Sequence, residues 1–185
     1  MNSIAIDWVK DWAAQHQIRV TVERLLSLAY EDPAPNNRVT VLTEPERTPD
    51  DLVLLANRLV WVESDEAGVL SDEDRQYVFL VRESGIWTDM TEALASDAFG
   101  SIFRAHGLPP DAEACLIPEG ESRIAVLLVL NTILFGWDAY LIPLSGRFLC
   151  HMSHDGYIDL RASDEAVLRD LLQRFEAWGA EERPI

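Results

Sequence analysis

A cysteine, two histidines and an aspartate fall within six residues, Cys150-His151-Met152-Ser153-His154-Asp155, a composition that could ligate a metal or carry acid–base chemistry. Zinc requires three or four such ligands converging on a tetrahedron. In a strand, successive side chains leave opposite faces, so Cys150 and His151 point apart and cannot form a thiolate–imidazolium pair. His151 and His154 straddle a strand end and a turn, and no CxxC, HxH or HExxH elsewhere completes a site. Turn chemistry explains His154-Asp155-Gly156 more simply, because Asp and Gly tolerate left-handed backbone. The segment predicts no bound metal, and nothing in the chain predicts a cofactor.

The other chemical motifs are missing as well. GxSxG, Walker A and GxGxxG do not occur. SDEAGVLSDED (64–74) is acidic enough for calcium, yet lacks the alternating acids, central Gly and closing Glu of an EF-hand loop. Glu63, Asp65, Glu66, Asp72, Glu73 and Asp74 nevertheless form a dense run with no Lys or Arg among them. If the protein docks by charge, this run is the expected contact; otherwise it is a solvated face. Of the six tryptophans, Trp8, Trp12, Trp61, Trp87, Trp137 and Trp178, three sit on apolar helical stripes (Trp8, Trp12 and Trp178) and read as core. A pocket walled by tryptophan is the other reading, with His151, Cys150 or Asp138 as its chemistry.

These residues must be positioned by a fold, and the pattern predicts α+β. Ser3 is placed to cap a helix whose apolar side holds Ile4, Ala5, Trp8, Val9, Trp12 and Ala13. Residues 18–22, 38–42 and 76–83 alternate as strands, whereas 23–30 suits strand or helix. Thr48-Pro49-Asp50-Asp51 is a helix start, with a capping Thr, Pro in the first turn and acids at the positive dipole end. The helix continues through 52–59, with 60–62 read as a strand. Thr88 or Thr91 opens another helix that ends at Gly107, and 106–114 reads as a loop. Residues 121–135 are apolar nearly all round: a buried helix by length, with a buried strand as the alternative. Residues 137–143, 147–152 and 157–160 form an antiparallel meander, with Asp155-Gly156 as a hairpin turn. A last helix begins around Ser163 to Glu165, with Leu171 and Leu172 on its buried stripe. The expectation is one domain over 1–185: a central, mainly antiparallel sheet flanked by helices, ending in the meander and an amphipathic helix.

Charge bounds the partners. The chain of 185 residues carries 32 Asp and Glu against 15 Lys and Arg, a net charge of −17. Phosphate backbones and anionic membranes both select a basic surface, so neither nucleic acid nor membrane is expected as a partner. An acidic surface favours fast capture of a basic protein. Two cysteines are too few for a disulfide framework, and acids interrupt the N-terminal segment where a secretion signal needs an apolar run. A cytoplasmic location is therefore the expectation.

The stretch LFGWDAYLIPLSGRFLCHMSHDGYIDL followed by an acid-capped helix resembles the C-terminal half of some bacterial immunity proteins, over roughly a third of the chain. That resemblance implies a small acidic α+β inhibitor, not an enzyme, that neutralises a toxin domain made by the same cell or its neighbour. The alternatives are a small-molecule binder or enzyme with a Trp-lined pocket, and a regulatory or scaffold subunit.

Overall fold

The structure, a computed structural model, describes residues 1–22, 26–31, 37–43, 47–60, 75–82, 97, 100–109 and 112–184. In chain order the elements are β1 (Asn2–Ser3), α1 (Ile6–Gln15), β2 (Ile18–Val22), β3 (Leu26–Tyr30), β4 (Asn37–Leu42), α2 (Pro49–Val60) and β5 (Tyr77–Arg82). Helical residues 100–105, here α3, follow. The chain then forms β6 (Ala114–Ile117), α4 (Ser122–Leu134), β7 (Asp138–Pro143), β8 (Phe148–Ser153), β9 (Tyr157–Ala162), α5 (Glu165–Phe175) and β10 (Glu181–Pro184).

The described strands form an eight-stranded sheet in the order β1-β6-β5-β7-β8-β9-β4-β10, antiparallel at every pairing, beside a two-stranded hairpin of β2 and β3. The expected meander is its β7-β8-β9 portion. Its second turn works as the Asp-Gly signal predicts: Gly156 takes φ +81° and its N–H donates to the Ser153 carbonyl, closing a three-residue loop. At the first turn, Gly146 has φ +67°, and a Cβ there would lie 2.6 Å from Cγ of His16. Only glycine fits that turn under the end of α1.

Alternation along the strands divides the core in two. Val39, Val41, Tyr77, Phe79, Cys115, Leu141, Phe148, Cys150, Met152, Ile158 and Leu160 face one way, against α2, α4 and α5. Val78, Leu80, Ala114, Tyr140, Ile142 and Leu149 face the other way, against Val9, Trp12 and Ala13 of α1 and against Ile18, Leu28 and Tyr30 of the hairpin. All six residues of β7 are buried, because both layers cover it. Helices on both faces of an antiparallel sheet make the chain α+β.

Helix ends follow the expected chemistry in two places. The Thr48 hydroxyl accepts from Asp51 N–H at 3.2 Å, and the Asp51 carboxylate accepts from Thr48 N–H at 2.9 Å, a reciprocal cap on α2. Asp164 caps α5 by accepting from Val167 N–H at 2.9 Å. Elsewhere local signals mislead. Ser3 does not cap α1; it belongs to β1, paired with Cys115, and Ala5 stands at the cap with no side-chain bond. Trp8 is 39% exposed rather than core, because α1 turns Val9, Trp12 and Ala13 to the sheet. Val60 ends α2 instead of opening a strand. Of residues 121–135, Ser122–Leu134 form the helix α4, yet it is not fully buried: Leu127 is 47% and Leu134 53% exposed, since the sheet and α2 cover only part of its circumference. The loop read over 106–114 ends in β6, whose four residues are too short to show a period. Residues 61–62, Thr88 and Thr91 lie outside the described residues.

The C-terminal segment is tied down at several points. Val167, Leu168, Leu171 and Phe175 of α5 are buried, whereas Leu172, expected to be buried with Leu171, is half-buried at the edge of the same cluster. Arg47 donates to the carbonyls of Leu42 and Trp178, and its guanidinium lies 5.2 Å from the Trp178 ring centroid, which joins the end of β4 to the end of α5. Leu171→Ala is expected to destabilise the fold by ~2–5 kcal/mol and Leu172→Ala by clearly less. Urea denaturation of both variants checks the order; equal losses would mean that α5 packs by a different face.

Candidate functional site

On the hairpin side of the sheet, the apolar cover reaches β8 at Leu149 and gives way to polar side chains. Register aligns Tyr140, His151, Asp159 and Thr40 across β7, β8, β9 and β4. Alternation explains the row: the apolar partners in YIDLRA, Ile158, Leu160 and Ala162, point to the helices, so Tyr157, Asp159 and Arg161 must point away.

The first part of this polar half-face centres on Asp138, which is 1% exposed. One carboxylate oxygen lies 2.7 Å from His154 Nδ1, and the other accepts from the His154 backbone N–H at 3.1 Å. His151 Nε2 stands 3.6 Å away, an ion-pair distance rather than a hydrogen bond. The His151 ring stacks on Tyr140 with centroids 4.7 Å apart and meets Tyr157 edge-on at 6.4 Å. Burial by itself would raise the Asp138 carboxyl, but the nearby His151 imidazole and the hydrogen bonds from the His154 ring and backbone N–H outweigh it and hold the carboxyl below its ordinary 3.8. His154 Nε2 is 3.3 Å from Asp155, so this imidazole lies between two carboxylates.

A carboxylate that orients an imidazole is half of an acid–base relay, which needs a nucleophile or a substrate proton at the other ring nitrogen. Cys150 does not supply it. As alternation predicts, Cys150 lies on the helix side of the sheet and His151 on the other. The Cys150 thiol is fully buried and pushed up by desolvation and by nearby Asp159; burial pushes the Cys115 thiol up to about 12. The arrangement therefore serves as a clasp that fixes the β8–β9 turn to the start of β7. Among the described residues no three His, Cys, Asp or Glu are grouped to hold a metal ion.

The second part centres on Asp159, also 1% exposed. It accepts from the Thr40 hydroxyl at 2.8 Å and pairs with Arg38 at 2.8 Å. Arg161 lies on the same face with no ion pair or side-chain hydrogen bond to any described residue. The Nε atoms of Arg38 and Arg161 are both closed off from solvent without an acceptor. An orphaned buried donor costs about 1–3 kcal/mol, so the pair is an anomaly of the fold. Sequence reading named His151, Asp138 and Cys150 but missed Asp159, Arg38 and Arg161. Their alternation was legible; that β4, far away in sequence, would pair with β9 was not.

Glu63, Asp65, Glu66, Asp72, Glu73 and Asp74 lie outside the described residues, as do Trp61 and Trp87. The other tryptophans are spread over both faces: Trp12 in the hairpin-side core, where its indole N–H donates to the Leu144 carbonyl, and Trp137 and Trp178 at the edge of the helix-side core. Trp8 stacks outside Trp12 with centroids 6.3 Å apart. At the surface, Asp11, Glu31, Asp50, Glu113 and Glu176 are exposed and make no ion pair with any described residue.

Because its folded-state carboxyl titrates below the ordinary value, Asp138 contributes stability above the usual carboxylate range, and that contribution disappears as pH falls through the lowered pKa. Asp138→Asn is expected to be less stable than the parent at pH 7, with the gap closing as pH drops below about 4. Chemical denaturation midpoints across that range test this, and a gap independent of pH would show that the charge is not what the clasp holds. Both thiols are expected to resist a disulfide reagent in the native protein and to react once it is unfolded. A rapidly reacting native thiol would contradict the burial of Cys115 and Cys150.

Neither a protein-family model, nor a curated protein, nor a solved structure matches the chain.

Proposed function

We propose that this chain is a non-enzymatic binding protein of the immunity type, an acidic inhibitor that captures a basic toxin domain and neutralises it. The observation that carries the reading is the set of exposed carboxylates without an ion pair among the described residues, Asp11, Glu31, Asp50, Glu113 and Glu176, in a chain with 32 acids against 15 bases. Self-repulsion of such a surface lowers folding stability, and a partner of opposite charge offsets that cost. Toxins that act on nucleic acid must be basic to hold phosphate, so an acidic protein competes for that surface. We place the contact at Glu63, Asp65, Glu66, Asp72, Glu73 and Asp74, the densest run without a base. The enzyme alternative gains little from the geometry. Cys150 and His151 occupy opposite faces, Asp138 is engaged by His154, and the described tryptophans do not wall one pocket. No helix among the described residues is long and apolar enough to cross a membrane, which agrees with a protein partner rather than a bilayer.

The test begins with capture of the tagged chain and its bound protein from the native host. The partner is expected to be basic, to be toxic when expressed alone, and to be silenced by co-expression of this chain. Association should slow by ~10-fold or more between low and physiological salt, because encounter is steered by charge. Asp72→Lys, Glu73→Lys and Asp74→Lys together should leave the melting temperature unchanged while slowing association and flattening its salt dependence. A neutral or acidic partner would remove the proposal. Unchanged association of the triple variant would remove the assignment of the contact to residues 63–74.

A further inference from the structure

Three of the fourteen arginines of this acidic chain fall in one row across neighbouring strands. Arg183 of β10 is the register partner of Arg38 in β4. The β4–β9 register, Val39 to Leu160 and Thr40 to Asp159, continues to set Arg38 opposite Arg161. On its other side Arg161 partners Leu149, a member of the hairpin-side core. The row thus starts where the apolar cover ends and runs out to the edge strand. Like charges directly opposite one another in a sheet are unfavourable, and with so many carboxylates available the chain leaves this row undercompensated. Arg38 is paired with Asp159 at 2.8 Å and Arg183 with Glu181 at 3.0 Å, while Arg161 has no carboxylate partner among the described residues. Three guanidiniums against two carboxylates leave one uncompensated positive charge, beside two buried Nε–H donors that lack acceptors.

We propose that Arg161 and Arg38 form a receptor for a single carboxylate, supplied by a small organic acid. A guanidinium presents parallel N–H donors that match the two oxygens of a planar carboxylate. One monoanion balances the leftover charge of the row, and its oxygens supply what the orphaned donors lack. Both side chains are partly open to solvent, so a small turn about their terminal torsions brings Nε to an arriving oxygen. Asp159 is the positioning residue: it fixes Arg38 from the buried side through the opposite end of the guanidinium. This site is independent of the acidic surface, since it attracts the opposite charge.

The experiment is a titration of the full chain with sodium acetate, against sodium chloride at equal ionic strength, following the arginine Nε–H resonances by NMR. Acetate is expected to shift the Arg161 and Arg38 signals along a saturating curve, to leave exposed Arg169 of α5 unmoved, and to act at lower concentration than chloride. Arg161→Gln should abolish the saturable shift at Arg38. Arg161→Lys keeps the charge and loses the fork, so it should weaken binding several-fold; it also serves as the readout if the Gln variant does not fold. Identical responses to acetate and chloride, no saturation, or undiminished acetate binding in a folded Arg161 variant would overturn the proposal. Tighter binding of inorganic phosphate than of acetate would overturn its charge argument.

Discussion

Unequal cover on the two faces of one antiparallel sheet is the constraint on which the rest of this molecule depends. On the helix side, α2, α4 and α5 extend from β6 to β4, so residues of that parity are apolar along the whole width. On the other side, α1 and the β2–β3 hairpin reach only from β6 to Leu149 of β8. A strand inside both layers, such as β7, must be buried on every residue, and it is. A strand beyond the second layer, such as β9, can alternate apolar with charged. The polar half-face follows from the width of the smaller layer.

Two buried carboxylates mark the boundary, and the fold satisfies them differently. Asp138 takes its hydrogen bonds from His154, the first residue after β8, so it joins a local turn to the sheet centre. Asp159 takes its bonds from Thr40 and Arg38 on a strand more than a hundred residues away, so it joins the N-terminal half to the meander. In each case a buried charge is tolerated because opposite charge and oriented donors replace the lost water. Arg161 sits one residue pair further along the same face with no such replacement, and that contrast within a single sheet face gives it meaning.

Net charge acts at a different scale. Among the described residues, exposed carboxylates lie on α1, α2 and α5 and near strand ends, where they do not enter the core's energetics. They set how the molecule meets other charged bodies. The group of Asp159, Arg38 and Arg161 is half-enclosed by the sheet and is screened less by salt. A long-range acidic field and a short-range arginine site can therefore coexist on one small domain.

How much of this was legible follows from the range of each interaction. The meander, the caps at Thr48 and Asp164 and the Gly156 turn depend on neighbours within a few residues, so local patterns determined them. Strand alternation likewise separated Cys150 from His151 without any knowledge of the fold. Ser3 and Trp8 were misplaced because pairing of β1 with β6 overrode a local capping preference, and the sheet selected a narrower stripe of α1 than its apolar residues offered. Strand β6 and the edge strand β10 escaped notice for a related reason. Four residues carry no period, and an edge strand of Glu181, Glu182, Arg183 and Pro184 can be charged because one side meets water. The sequence by itself determined the class, the acidity and the face on which each residue of the recognised strands lies. The tertiary structure alone decided which strands became neighbours, and hence that Asp138 meets His154 and that Arg38 faces Arg161, because cross-strand pairing joins residues whose separation in sequence leaves no local trace.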